Sequence, residues 1–461
     1  RTSWISESGS RWEPKSSILR HVNKHVSFTE EGGLRMDSTQ RNRKIDLERK
    51  AWNPADSYGN QQICLSMSLE EHQKFSTDNE FAKSTIRCVL EETPELLPQA
   101  VRNHGFWLDG HERQSTRLPD IRLRRIRVPG TNTVFTIRPS AVLPSMVGFT
   151  DEVEDGLKLL SHDNPPELVA EVTGRNAMFW YRLISRIGRF SLPGTTLRSV
   201  QTLPEDLAAD EYHSTINRNK IYACVTAARG VLLGLAVSRT ADEAGLQDAY
   251  GQFRTEMQDL DPNYTPSSVN TDGWPATRAA WRTLFAGIAL ILCFLHGFLK
   301  IRDRCRRKFP ELKTRIWDVY RAATRTEFQE RMTSLKTWVA EQELPSTVQT
   351  YVDKLTALSG RYAEAYDHPG CHRTSNMVDR LMNLLDRAVH RGRRLHGHLM
   401  SAEYRLRGWS LLLNFRPFSA RHRSRSEVIW PSAAARVNQK TYHDNWLHNL
   451  YVSASLGGCR T

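Results

Sequence analysis

The stretch from residue 203 to residue 300 limits the fold more than any other part of this sequence, because its periodicity changes along its length. Three short segments, ADEYH, KIYACVTAA and VLLGLAVSRT, follow one another and have the pattern of successive β-strands. The pattern then alternates between a helix at about 241–258, a fourth strand ending at Asp272, a helix at 275–285 and a fifth strand, IALILC. Three strands in succession, followed by alternation of strands and helices, predict an α/β fold with a mixed sheet flanked by helices.

This order of elements is that of an RNase H-like sheet. Residues 310–368 carry helical periods without a strand pattern, which indicates an all-helical insertion into the sheet domain. We therefore expect the core in two parts with the insertion between them, and then a tail. The expected boundaries are 201–309 for the first part of the core, 310–370 for the insertion, 371–415 for the last core helices and 416–461 for the C-terminal tail.

The first 200 residues predict a polar arm at 1–60, which we expect to be disordered or to contact DNA, and a mostly helical DNA-binding region at 61–200. Residues 121–138 have the pattern of a hairpin around Pro-Gly-Thr-Asn. The arginines of this hairpin suit either the protection of an edge strand or contact with phosphates. Residues 151–190 predict three helices in helix-turn-helix order, and the third helix carries the predicted DNA contacts Arg182, Arg186 and Arg189.

The net charge points to a polyanionic partner. The 461 residues include 64 Lys and Arg against 51 Asp and Glu, which gives a net charge of +13. Such a balance favours nucleic acid through phosphate contacts and counterion release. The seven Cys residues are scattered without a CxxC pair, which excludes a zinc ribbon and is typical of a reducing compartment. We expect a cytoplasmic, nucleoid-associated protein.

One apolar run, Leu284 to Leu299, raises the alternative of a membrane-attached protein. This run is shorter than the ~20 residues that a spanning helix needs, and it contains two glycines and a histidine. We therefore expect no membrane partner and interpret the run as a buried strand that leads into a helix.

Three acidic residues fall where metal-dependent phosphoryl transfer needs them. Asp210 is predicted to close the first strand and Asp272 the fourth, and Asp379 lies in a helix that follows the insertion. Three carboxylates that converge can hold two divalent cations, and Mg²⁺ or Mn²⁺ prefers such oxygen ligands. Each aspartate taken alone is more often a turn or helix cap than a ligand. Their combination predicts a nuclease centre.

The residues around these acids form three motifs: LAADEYH, NTDGW followed by LCFLH, and Thr374-x-Asn376-x-x-Asp379. In these motifs the chain resembles the bacterial insertion-sequence transposases related to the eukaryotic Mutator-like elements. The resemblance spans about residues 200–415. It implies a DDE-type transposase that cleaves DNA at the terminal repeats of a mobile element and joins it to target DNA, acting as a homo-oligomer on DNA.

The resemblance also implies roles for two further sets of residues. Cys293 and His296 correspond to a Cys-x-x-His signature near the active site, with no metal of its own implied. The family usually has Glu at the third acidic position, where this chain has Asp379, so Glu403 is the reserve candidate for the third ligand.

A basic run follows the Cys-x-x-His signature, and it suits either a solvated surface or contact with phosphates. Its members are Lys300, Arg302, Arg304, Arg306 and Arg307, of which the first three are predicted DNA contacts. The alternative to an active transposase is a catalytically inactive DNA-binding protein derived from such an enzyme. The presence of Asp at position 379, where the family usually has Glu, is consistent with this alternative.

Overall fold

Two mixed β-sheets, with the helices that cover them, make up the α/β fold. The structure, a computed structural model, describes residues 62–131, 133–304, 309–392, 394–426 and 429–455, all within the unit Glu48–Thr461. The polar arm expected at 1–60 lies outside the described residues.

The first sheet lies in the N-terminal region, in the strand order β1-β4-β3-β2. Its strands are β1 (Gln62–Leu65), β2 (Trp107–His111), β3 (Arg124–Arg127) and β4 (Val134–Pro139), packed with α1 (Leu69–Thr77), α2 (Asn79–Glu92) and α3 (Gln99–His104). The predicted hairpin is present, because β3 pairs antiparallel with β4. Its interpretation as an edge strand is wrong, because β3 also pairs with β2 and two of its arginines form ion pairs with Asp109.

Three helices fill the segment 151–190: α4 (Asp151–Ser161), α5 (Pro166–Thr173) and α6 (Ala177–Phe190). Asn176 caps α6 by accepting a hydrogen bond from Met178 N, and the apolar face of α6 is buried. The three arginines predicted to bind DNA lie outside that buried face. Arg182 and Arg189 are exposed, and Arg186 is half-buried.

The second sheet has the strand order β7-β6-β5-β8-β9. Its strands are β5 (Asp206–Ile216), β6 (Asn219–Ala228), β7 (Val231–Ser238), β8 (Ser268–Thr271) and β9 (Ala289–Leu292). The first three pair antiparallel, whereas β8 and β9 continue the sheet in parallel from β5. Nearly every residue of β7 and β8 is apolar or fully buried, as expected for strands covered on both faces.

Helices cover both faces of this sheet. One face packs on α7 (Glu243–Gln258) and α8 (Pro275–Leu284), through a cluster that contains Leu207 and Ala209. The other face packs on α14 (Asn376–Arg391) and α15 (Leu399–Phe415), with α6 behind α15, through a cluster that contains Ala208. Successive side chains of β5 therefore point to opposite faces of the sheet and pack against different helices.

A helical segment interrupts the sheet domain between β9 and α14. It comprises α9 (Phe294–Arg302), α10 (Phe309–Tyr320), α11 (Arg325–Ala340), α12 (Ser346–Ala357), α13 (Ser359–Ala363) and a 3-10 turn (Glu364–Tyr366). The chain leaves the sheet domain and returns to it at neighbouring residues, because Phe294 N donates a hydrogen bond to Arg373 O at 3.2 Å. The hydrophobic cluster of this segment includes α9, which the predicted boundary at 310 had left in the sheet domain.

Side chains of α15 cover the outer edge of β7. Asn414 accepts from Leu232 N at 2.9 Å and donates to Leu232 O at 2.8 Å. Glu403 accepts from Val237 N at 2.8 Å and forms a fully buried ion pair with Arg407. These bonds satisfy backbone groups that an edge strand would otherwise leave unpaired.

The tail continues with α16 (Ala420–Ser426), α17 (Ala433–Asn438) and α18 (Trp446–Ser453), of which α17 and α18 pack on α15. The apolar run Leu284 to Leu299 is divided between the end of α8, strand β9 and the start of α9. None of the helices described here has both the length and the apolar character that crossing a membrane requires.

Candidate active site

The register between β5 and β8 brings Asp210 and Asp272 together. Asp206 pairs with Ser268 and Ala208 pairs with Asn270, so paired residues differ by 62 positions. Asp210 and Asp272 differ by the same number, because 272 − 210 = 62. Both aspartates therefore lie two residues beyond the last matched pair, Ala208 and Asn270, and burial together with the charge of Asp272 raises the pKa of Asp210.

The position of Asp210 corrects one expectation. Asp210 does not close its strand, because β5 runs on to Ile216 and stays paired with β6 to the end. What ends near Asp210 is the parallel pairing, whose last partners are Ala208 and Asn270. Asp272 directly follows β8, as predicted.

Asp379 joins the two strand acids from α14, which packs on β5 and β6. It lies in the first turn of that helix, and its Oδ2 accepts a hydrogen bond from Ser375 Oγ at 2.7 Å. The charge of Asp379 raises the pKa of Asp210, as does the charge of Asp272. Asp272 and Asp379 therefore both lie close enough to Asp210 for their charges to act on it.

The reserve candidate, Glu403, is held elsewhere. Its side chain is fully buried against the edge strand β7, where it pairs with Arg407 and accepts from Val237 N. In the strand order, β6 separates β7 from β5. The structure therefore does not bring Glu403 to the three aspartates.

Asp210 is the most perturbed of the three carboxyl groups. Burial raises the pKa of Asp210 to about 6, and the charges of Asp272 and Asp379 add to this rise. A hydrogen bond from Glu211 N and the charge of His296 act in the opposite direction. Asp210 is therefore a carboxylate with little local compensation for its charge.

Sequence reasoning missed the buried acid next to Asp210. Glu211 accepts hydrogen bonds from Thr277 Oγ1 at 2.6 Å and Tyr250 at 2.9 Å. Burial raises the pKa of Glu211 to about 7, and the charges of Asp210 and Asp272 add to the rise. Glu211 thereby links β5 to both helices on the α7/α8 face. The only feature of the sequence that pointed to Glu211 was its position next to Asp210 in a strand.

The three aspartates have the chemistry of a divalent-metal site. Each uses one oxygen in a local hydrogen bond: Asp210 from Glu211 N, Asp272 from Trp274 N and Asp379 from Ser375. Their second oxygens have no hydrogen-bond partner within the described ranges, so they are available to a cation. Hard carboxylate oxygens fit Mg²⁺ or Mn²⁺. Among residues 62–455 as described, no group of three or more His, Cys, Asp or Glu is already positioned as a set of metal ligands.

Cys293 and His296 form a hydrogen-bonded pair beside the acids. Burial alone would raise the pKa of Cys293, but its hydrogen bonds with His296 and Ser375 lower that pKa below the usual value. The bond with Cys293 raises the pKa of His296 to about 9 despite burial, and the charges of Asp210 and Asp379 contribute. The thiol also donates to Ser375 Oγ at 3.2 Å, which connects this pair to Asp379.

A cleft of about 480 Å³ opens along the start of α14. Asn376 begins α14 and lines this cleft together with Arg373 and Arg380. Arg373 is held in place by stacking over the ring of Tyr320, with its guanidinium carbon 4.6 Å from the ring centroid. The cleft thus offers two cations, and neither arginine was predicted as a site residue.

The predicted basic residues are at the surface. Lys300, Arg302 and Arg304 are exposed at the end of α9. Arg302 pairs with Asp303 at 2.8 Å, and Arg304 lies 4.2 Å from the centroid of the Tyr351 ring. No described contact joins these residues, or the three arginines of α6, to the aspartates.

An aromatic cluster flanks Asp272 on the strand side. The rings of His213 and Tyr222 are 5.0 Å apart, and Trp274 lies 6.1 Å from His213 and 6.2 Å from Tyr222. His213 is exposed and the other two are half-buried. Such rings can pack on one another and also receive an unpaired base.

Comparison with known proteins adds no family to this geometry. No protein-family model matches the chain, and no curated protein matches its sequence.

Proposed function

We propose that this protein is a DNA transposase of the DDE type, with Asp in place of Glu at the third position, and that its second sheet is the core of an RNase H-like domain. The strand order supports the fold proposal, because three antiparallel strands are followed by two parallel ones in the order 3-2-1-4-5. The common register of Asp210 and Asp272, with Asp379 acting on Asp210, is the observation that carries the proposed activity.

In this proposal Asp210, Asp272 and Asp379 hold Mg²⁺ or Mn²⁺ through their free oxygens. When bound, the metal ions supply an activated water or 3′-hydroxyl nucleophile and stabilise the leaving oxygen. The aspartates must be ionised to bind, so the raised pKa of Asp210 favours binding at neutral rather than acidic pH. His296 contributes a nearby positive charge, and Ser375 orients Asp379.

DNA is the proposed substrate, in the form of element ends and target DNA. The net charge of +13 supports a polyanionic partner. The exposed cations of α6 and α9 and the cleft arginines provide phosphate contacts at several places. Action as a homo-oligomer on DNA, in a nucleoid-associated cytoplasmic location, belongs to the same proposal.

A plasmid-nicking assay tests the activity. Supercoiled plasmid is incubated with the full chain and Mg²⁺ or Mn²⁺, and nicked circles are measured over time. We expect Asp210→Ala, Asp272→Ala and Asp379→Ala each to lower the nicking rate by at least about 100-fold, because each removes a metal ligand. The matched control is Asp386→Asn, an acid two turns along the same helix that accepts a hydrogen bond from Tyr212 instead. Equal nicking by Asp379→Ala and the wild type would exclude Asp379 as a ligand.

A second candidate function is that of an inactive, transposase-derived DNA-binding protein. Two observations favour it: the shorter Asp at position 379, and the absence of a prearranged ligand set in the described part of the chain. Binding of plasmid in EDTA without any metal-dependent nicking would support this function over the first. Asp379→Glu distinguishes them further, because restoring the longer acid is expected to retain or raise nicking by an active enzyme.

A further inference from the structure

Two arginines from separate elements come together at the loop that follows Asp272. Arg278 lies on α8, one turn into the helix that begins after this loop. Arg361 lies on α13, in the helical segment between β9 and α14. The charge of Arg361 lowers the pKa of Arg278, an effect added to that of burial. Two like charges therefore share one small region.

Gly273 allows Arg361 to approach the Asp272 loop. A Cβ on Gly273 would lie 3.5 Å from Arg361 Nη2 and only 2.3 Å from Leu292 Cδ1. Gly273 also has φ +90°, a conformation that residues with a Cβ rarely adopt. The absent side chain thus leaves the Arg361 guanidinium beside the backbone of the residue that follows Asp272.

The guanidinium groups of this pair are buried in part and unsatisfied. Nε of Arg278 and both Nε and Nη2 of Arg361 are shielded from solvent, and none has a hydrogen-bond partner in the described residues. The nearest acid whose charge acts on Arg278 is Glu364, and within the described ranges it forms no ion pair with either arginine. Because these shielded N–H groups have no acceptor, the charge of both guanidinium groups is uncompensated within the described residues, and an anion at their other N–H groups would compensate it.

We propose that Arg278 and Arg361 form a phosphate-binding site that holds the backbone phosphate next to Asp272. Each guanidinium presents parallel N–H donors whose spacing matches two oxygens of a phosphate. The position beside Asp272 makes a DNA phosphodiester the occupant, and this identity rests on the proposed nuclease function. The inserted helical segment then supplies a substrate contact to the site, in addition to covering β9.

Binding of thymidine 3′,5′-bisphosphate, measured by isothermal titration calorimetry on the full chain, tests this site. The titrations are run once in EDTA and once with Ca²⁺. We expect Arg278→Ala and Arg361→Ala each to weaken binding by about tenfold in both conditions, as for loss of a charged hydrogen bond. Arg361→Lys should retain part of the affinity, because the charge remains and the fork is lost.

Arg321→Ala is the matched control, since Arg321 is an exposed arginine of the same helical segment. It should bind the probe as the wild type does, and melting temperatures of all variants verify folding. Wild-type affinity in Arg278→Ala and Arg361→Ala would overturn the site, as would undetectable binding by the wild type or an equal loss in Arg321→Ala. The nuclease proposal is tested separately, because Asp210→Ala and Asp272→Ala should lose plasmid nicking yet bind the probe in EDTA.

Discussion

Asp210 lies where the fold disfavours its ionised form. Its neighbours in space include two further carboxylates, and its backbone is held in a strand that is paired on one side only beyond Ala208. A bound metal ion would offset the unfavourable free energy of this charge. Sites of this kind therefore often destabilise a protein until an ion is bound.

Because ionised Asp210 is unfavourable in the folded state, we expect Asp210→Asn to stabilise the metal-free protein. The folded-state pKa of about 6 exceeds the ordinary value of 3.8, so ionised Asp210 opposes folding at every pH above about 6. The shift corresponds to about 3 kcal/mol. At pH 8 in EDTA we expect the unfolding free energy of Asp210→Asn to exceed that of the wild type by this amount. The difference should disappear as the pH falls towards 4, where residue 210 is neutral in both proteins.

Urea unfolding at several pH values measures this gap, with Asp155→Asn on the exposed face of α4 as control. Adding Mg²⁺ should stabilise the wild type and leave Asp210→Asn almost unchanged. A gap that is constant between pH 4 and pH 8 would contradict the assigned environment of Asp210.

The Cys293–His296 pair predicts a histidine that stays protonated above neutral pH. His296 has a pKa of about 9 because of its bond with Cys293 and the charges of the aspartates. In Cys293→Ala the pKa of His296 should fall towards its usual value, since the largest contribution is removed. The imidazole Cε1–H shift in NMR follows this titration, and an unchanged midpoint in Cys293→Ala would show that the pair does not interact.

At this scale the sequence predicted the three aspartates and the Cys-x-x-His pair, and the structure brings all five side chains to one region. It did not predict Arg278, Arg361 or Glu211 as members of that region. The proximity of Arg278 and Arg361 depends on how α8 and α13 approach the strand ends, which is tertiary packing that no local pattern encodes, whereas Glu211 is the sequence neighbour of Asp210.

The crossing of α6 and α15 is the closest contact between two helices of the second sheet's outer layer. A Cβ at Gly188 would lie 1.8 Å from Tyr404 O, and one at Gly408 would lie 2.1 Å from Ile184 O. Two glycines therefore let the helix backbones touch. This fixes α6, with its outward arginines, to the sheet domain.

This crossing predicts that Gly188→Ala destabilises the protein by about 3 kcal/mol or more, because backbone atoms cannot move aside as side chains do. Gly360→Ala is the matched control. Gly360 is also helical, but nothing lies within 4 Å of a Cβ there, so this change should be neutral or stabilising by up to about 1 kcal/mol. Denaturant unfolding measures both, and equal stabilities would contradict the close crossing.

Elements with strong periodicity were predictable, and the ends of elements were less so. The five strands of the second sheet and the three helices at 151–190 follow their sequence patterns. The length of β5 beyond Asp210 was missed, because residues 213–216 gain their strand conformation from pairing with β6 and are only partly buried. The N-terminal region was predicted as mostly helical, whereas it also contains a four-stranded sheet built from short, distant strands.

At the scale of the whole molecule, the helical segment between β9 and α14 has its own core. Among the described residues, its hydrophobic cluster draws every fully buried member except Leu292 from residues 294–363. The chain also leaves and re-enters the sheet domain at neighbouring points, Phe294 and Arg373. Both properties indicate an insertion whose helices pack mainly on one another and not on the rest of the sheet domain.

This independence predicts that the sheet domain folds without the segment. Replacing residues 294–372 with a short Gly-Ser linker should leave a protein that melts cooperatively, with the far-UV circular dichroism of the remaining helices. The cost should come mainly from exposing Leu292 and strand β9, on which the segment packs. The variant should bind the bisphosphate about tenfold more weakly, as expected for Arg361→Ala, because Arg361 is removed. Aggregation, or the absence of a cooperative transition, would mean that the two parts depend on each other for folding.

Both outer strands of the second sheet are already occupied by helices. Along β7, Asn414, Glu403 and Arg407 of α15 bond to the strand backbone. Along β9, α13 and the turn after it pack against the strand. These two outer strands are therefore less open to pairing with a strand of another copy of the chain. If the protein assembles on DNA, we expect its subunits to meet through surfaces other than these two strands or through the DNA itself, so that the second sheet keeps its strand pairing as the assembly forms and dissociates.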